Sequence, residues 1–91
     1  MQKVVKEKEK EFFVSHAGSK AKVLEIYESF SGWYWYITEK TDKEEYFGLV
    51  RGMETEWGYI WMPELEELIK KYKVWKVERK DWIGVPLLTS A

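Results

Sequence analysis

Gly32-Trp33-Tyr34-Trp35-Tyr36-Ile37-Thr38-Glu39 is the stretch that decides the fold of this chain. Trp33 to Ile37 are consecutive aromatic or β-branched residues, the types that fit a pleated, half-buried surface. Successive strand residues point to opposite faces, so Trp33, Trp35 and Ile37 share one face and Tyr34, Tyr36 and Thr38 the other. A strand with rings on both faces must be covered on at least one side, and the flanking sequence is suited to cover it.

Upstream, residues 21–30 read as a strand, with Leu24 and Ile26 on one face and Val23, Glu25 and Tyr27 on the other. Ser31-Gly32 turns the chain into the aromatic strand. Downstream, the polar run 40–45 is a hairpin loop. A third strand covers 46–50, where Phe47 and Leu49 oppose Gly48, and this glycine suits a bulge or the close approach of a neighbouring ring. Gly52 turns the chain again into a fourth strand, 57–62, with Trp57, Tyr59 and Trp61 on one face and Gly58, Ile60 and Met62 on the other. Short loops between such strands predict an antiparallel meander.

Pro63 suits a first helical position, and Glu64, Glu66 and Glu67 suit the positive end of the helix dipole. Leu65, Leu68, Ile69 and Tyr72 recur at i, i+3, i+4 and i+7, which predicts a helix over 63–73 with its apolar stripe on the sheet. Residues 74–79 alternate as an edge strand. The tail 81–91, with Gly84 and Pro86, reads as irregular. At the other end, the Lys/Glu run within 1–14 favours a charged helix or arm. Residues 15–19, Ser-His-Ala-Gly-Ser, read as a loop, with His16 as its solvent-exposed histidine. The expected architecture is α+β: one domain over 1–91, its core at 20–85, with a four- to five-stranded antiparallel meander, one helix packed on a face, and an N-terminal charged helix.

Ninety-one residues bury only about 60–65% of the unfolded surface, so large side chains count heavily. Six Trp, six Tyr and four Phe supply that burial. There is no cysteine, which excludes disulfides and Cys-type metal sites. No apolar run approaches the roughly 20 residues of a membrane-spanning helix, and the start of the chain lacks the apolar core of a signal peptide. A cytoplasmic location is the expectation. Acids and bases nearly cancel, at a net charge of −1, so a basic footprint for nucleic acid is absent from the composition. Thirteen of the fifteen basic residues are Lys, fourteen of the sixteen acids are Glu, Asn is absent and Gln2 is the single Gln. Lys/Glu enrichment with few thermolabile amides points to a heat-adapted source.

No phosphate loop, dinucleotide fingerprint, zinc spacing, nucleophile elbow or EF-hand loop is present. No catalytic residue, metal site or cofactor is therefore assigned. Glu39, Glu54 and Glu56 would offer an acid/base pair or a cation site if they converged. An aromatic sheet face can stack bases, but that function works with a positive groove, and Lys76, Lys80 and Arg51 are the basic residues expected to flank the sheet. Rings left uncovered would instead form an apolar patch for a protein partner or for a second copy of the chain. Trp57, Tyr59 and Trp61 are the candidate binding residues.

Trp35-Tyr36-Ile37-Thr38-Glu39, Tyr46-Phe47-Gly48-Leu49-Val50-Arg51-Gly52, Glu56-Trp57-Gly58-Tyr59, Glu64-Leu65-Glu66 and Val77-Glu78-Arg79 resemble a family of small proteins of plasmids, phages and other mobile elements. That family is a domain of unknown function. The similarity covers roughly residues 33–82, and the Phe-Gly-Leu-Val-x-Gly and Glu-x-Gly-Tyr pieces are its most specific part. Met62-Pro63 stands where the family carries a polar helix cap, and Lys80 separates Arg79 from Asp81 where the family runs Arg-Asp directly. With the heat-adapted composition, the resemblance implies an accessory protein of an archaeal virus or plasmid. It transfers no activity. The expectation is a non-enzymatic protein that acts by protein–protein binding, with a homodimer as one form. Nucleic-acid binding is the runner-up, and a Glu-based metal-dependent enzyme comes third.

Overall fold

The strand formers around Trp35 assemble as the centre of a five-stranded antiparallel sheet. The computed structural model describes residues 11–86. A short hairpin, β1 (Phe13–His16) and β2 (Ser19–Lys22), comes first. It is followed by β3 (Glu25–Ser29), β4 (Tyr34–Asp42), β5 (Glu45–Arg51) and β6 (Thr55–Trp61). Helix α1 (Met62–Lys71), β7 (Val74–Lys76) and a 3-10 helix at Arg79–Gly84 complete the order. The main sheet runs β6-β5-β4-β3-β7, a meander to which β7 adds at the far edge.

Each sheet face carries its own core. Leu65 on α1 packs with Tyr27, Trp35, Ile37, Ile60 and Val74 on what we call the helix face. On the opposite, hairpin face, Ile26, Tyr36 and Leu49 pack against Val14, Val23, Val77 and Trp82. Both ring-bearing faces of β4 are thus covered, and Tyr36, Ile26 and Ile37 are essentially inaccessible. Gly48 stands opposite Ile37, where the β4–β5 register shifts between Ile37 and Glu39. A Cβ on Gly48 would overlap the Tyr36 carbonyl oxygen, so the close neighbour is main chain rather than the expected ring, and the bulge lies on the facing strand, at Thr38.

Several expectations are corrected. The charged N-terminal helix falls mainly outside the described residues, and its last two positions, Phe13 and Val14, open a strand instead. Residues 15–19 are not a loop. They belong to the β1–β2 hairpin, in which His16 pairs with Ser19 across a two-residue turn. Ala17 and Gly18 both have positive φ, 52° and 83°, the type I′ geometry that matches strand twist. The strand expected over 21–30 is two strands. Val23 N–H donates to Phe12 O and Leu24 N–H to Ile37 O, so the chain leaves one sheet and enters the other between neighbouring residues. That switch buries Val23 and leaves Leu24 46% exposed.

The helix ends at Lys71, with Tyr72 as its extended C-cap. Leu65 is buried while Ile69 and Tyr72 of the same stripe are exposed. The edge strand is three residues long, and the tail, expected to be irregular, begins within the 3-10 helix, its positions 87–91 lying outside the described residues. In that helix Trp82 is buried, its Nε1–H donates to Val77 O at 3.1 Å, and Phe12 meets it edge-on at 5.2 Å. The Arg79 guanidinium lies 4.6 Å from the Trp82 ring and 5.0 Å from Phe12.

Candidate functional site

The alternation of β6 sends Trp57, Tyr59 and Trp61 to one face, as the sequence predicts, and the structure makes it the hairpin face. Register sets their neighbours: Trp57 stands beside Leu49, Tyr59 beside Phe47, and Trp61 beside Glu45. The three do not share one fate. The hairpin reaches across the sheet as far as Trp57, where the His16 ring lies 4.2 Å from the indole and 5.3 Å from Phe47. Trp57 is consequently half-buried against the hairpin-face core. Beyond the hairpin, Tyr59 is 69% and Trp61 56% exposed. Phe47 joins the two halves of the stripe, stacked on Trp57 at 5.8 Å and edge-on to Tyr59 at 5.1 Å.

His16 and Phe47 were not among the sequence candidates. His16 is no exposed loop histidine: it lies two residues after buried Val14 on the same side of β1, a period-2 signal present in Val14-Ser15-His16 but too short to read beside Gly18. Phe47 shares the face of Leu49 by the same rule.

Charge around the stripe is acidic. Glu39 stands opposite Phe47 and Glu45 opposite Trp61. The basic residues expected to flank the sheet lie away from the stripe. Lys76 sits on the far edge and pairs with Glu25 at 3.6 Å, and Lys80 pairs with Glu78 at 3.6 Å in the 3-10 helix. Arg51 is partly buried beside Tyr34 at the other end of β5. A surface depression beside β7 and the 3-10 helix is lined by these same paired lysines with Glu78 and Asp81.

The three glutamates do not converge. Glu39 lies in the row of Phe47 and Tyr59, whereas Glu56 lies in the row of Val50 and Trp35 on the helix face, and Glu54 sits in the turn before β6. Among the described residues no group of three or more acidic or imidazole side chains is placed to hold a metal ion. Nor is any helix there long and apolar enough to cross a membrane.

The strongest electrostatic perturbations fall on tyrosines inside the sheet. Burial raises the Tyr27 hydroxyl far above its ordinary 10.0, and the Glu25 carboxylate, which accepts its hydrogen bond at 3.2 Å, adds to the shift. Burial and Glu28 raise Tyr34. Burial also raises Tyr36, whose hydroxyl donates to Pro86 O, while the neighbouring Arg51 charge opposes the shift. Each of these three hydroxyls donates a hydrogen bond within the fold, to Glu25, Glu28 and Pro86 O respectively.

Compared with known proteins, the chain matches no family model, no curated protein and no solved structure.

Proposed function

We propose that this is a non-enzymatic binding protein that docks another polypeptide through Tyr59 and Trp61, with Phe47 and Trp57 continuing the aromatic stripe beside Tyr59. The observation that carries this reading is the pair of large rings more than half exposed on a regular strand, one of which, Tyr59, meets Phe47 and through it Trp57. Exposed contiguous apolar surface marks interaction sites, and Trp and Tyr dominate the buried centres of interfaces. The acidic neighbours Glu39 and Glu45 favour a protein partner over a phosphate backbone. The motif resemblance and the Lys/Glu-rich composition support the wider setting, an accessory protein of a thermophilic virus or other mobile element.

A photo-crosslinking amino acid in place of Tyr59 or Trp61, introduced in cells of the source organism, tests the reading. Discrete protein adducts are expected at both positions, and none with the crosslinker in place of Ile83, which is equally exposed on the 3-10 helix. Adducts to RNA or DNA would favour the runner-up, and a steep loss of binding with salt would then follow. The metal-dependent alternative predicts a higher melting temperature with divalent cations, abolished by Glu56→Gln.

A further inference from the structure

The main sheet has two edges, and they are built differently. On one side β7 is three residues long, carries Lys76 in an ion pair, and runs on at once toward the 3-10 helix. Short length and a lysine are ordinary ways to prevent strand addition. On the other side β6 is seven residues long, Thr-Glu-Trp-Gly-Tyr-Ile-Trp, with neither lysine nor proline. Among the described residues it pairs with β5 alone.

The direction of its backbone groups follows from the hydrogen bonds at either end of the β5–β6 ladder. Gly52 N–H donates to Glu54 O and Met62 N–H to Glu44 O, and the register between them is unbroken. Antiparallel pairs alternate between bonded and non-bonded. The even-numbered residues 54 to 62 therefore turn their N–H and C=O groups to β5. Thr55, Trp57, Tyr59 and Trp61 turn theirs outward. The residues with outward backbone are the same ones that carry the aromatic stripe.

We propose that this edge takes the β6 strand of a second copy, antiparallel, so that two sheets fuse across a two-fold axis at Gly58. This names the partner of the surface proposed above and rests on that reading. Among two-fold registers, the one centred on Gly58 pairs the strand along its entire length. Trp57 and Tyr59 exchange main-chain hydrogen bonds with Tyr59 and Trp57 of the other copy, and Trp61 N–H donates to Thr55 O. On the hairpin face each Trp57 ring gains a Tyr59 ring as its cross-strand neighbour, a favourable pairing. On the helix face Glu56 meets Ile60 rather than another acid, and glycine meets glycine on the axis. A Cβ at Gly58 meets nothing within 4 Å in the single chain, so that side is open. A net charge of −1 per chain sets little repulsion against self-association.

Sedimentation equilibrium on the full chain is expected to give twice its 11.0 kDa mass, independent of salt. The chain contains no cysteine, so Gly58→Cys gives a single reporter. Non-bonded antiparallel pairs have Cα atoms about 4.5 Å apart, within disulfide reach. G58C should oxidise in air to a covalent dimer, whereas Glu56→Cys, whose mate lies several residues away, should not. Tyr59→Pro removes an outward N–H and leaves the β5 ladder intact, while Tyr59→Ala removes the ring alone. Y59P should dissociate at least roughly tenfold more readily than Y59A, as loss of a main-chain bond requires. A monomer at millimolar concentration overturns the inference, as does a dimer in which G58C fails to cross-link. If Tyr59 still photo-crosslinks a different protein in either case, the docking reading stands and only the partner is wrong. If Y59P fails to fold, the cysteine pair decides by itself.

Discussion

Gly48 is held by a neighbour's backbone rather than by a turn. Because a Cβ there would overlap the Tyr36 carbonyl, relief requires moving a central strand, not a side chain. Gly48→Ala is expected to cost about 2–3 kcal/mol, against under about 1 kcal/mol for the unobstructed Gly58→Ala, both read by urea unfolding. The buried tyrosines make a second residue-scale prediction. Tyr27, Tyr34, Tyr36 and Tyr46 all hold their protons more tightly folded than unfolded. The stability linked to them is intact below the unfolded value near 10.0 and is lost as pH rises past it, because only the unfolded chain then ionises. Melting temperature should be level through neutral pH and fall above about pH 10, with the tyrosinate absorbance of these four residues appearing together with unfolding. Tyr27→Phe, which has no such proton to hold, should shallow that fall.

At the scale of elements, the β1–β2 hairpin closes with an alanine where type I′ geometry needs φ above zero twice. Ala17 at φ 52° carries the roughly 1–2 kcal/mol penalty of a left-handed L-residue. Ala17→Asn, which suits that position, is expected to stabilise the chain by about 0.5–1 kcal/mol, and Gly18→Ala to destabilise it by about 1 kcal/mol, in the same unfolding assay. The hairpin was illegible because Ala-Gly is a weak turn signal and each arm is only four residues long. The meander and α1 were legible because their periodicities run for longer. Even so, the stripe on α1 overstated its burial: Ile69 and Tyr72 lie where the sheet no longer reaches.

For the whole molecule, cover on the hairpin face comes from both chain ends at once. Phe12 and Val14 arrive from the start, Val77 and Trp82 from the finish, and they meet over Tyr36. Removing the Trp82 ring should therefore loosen the hairpin as well as the 3-10 helix. Trp82→Ala is expected to cost about 3–5 kcal/mol, a large part of the roughly 5–15 kcal/mol that holds a small domain. Hydrogen exchange should show amides of β1 and β2 losing protection in that variant. Unchanged protection there would mean that the two ends cover the sheet independently.

What the residues determined by themselves is the sheet, its alternation, and which rings of one strand share a face, since local sterics and a period of two are written into neighbouring positions. Which rings are core and which are surface was decided only in three dimensions. Trp57, Tyr59 and Trp61 are equivalent in pattern, yet His16, over forty positions earlier, reaches the first and stops short of the other two. The covered tail has the same cause: Trp82 is buried because Phe12 and Arg79 close over it. Burial is a property of what arrives from elsewhere in the chain, and no window of neighbouring residues contains it.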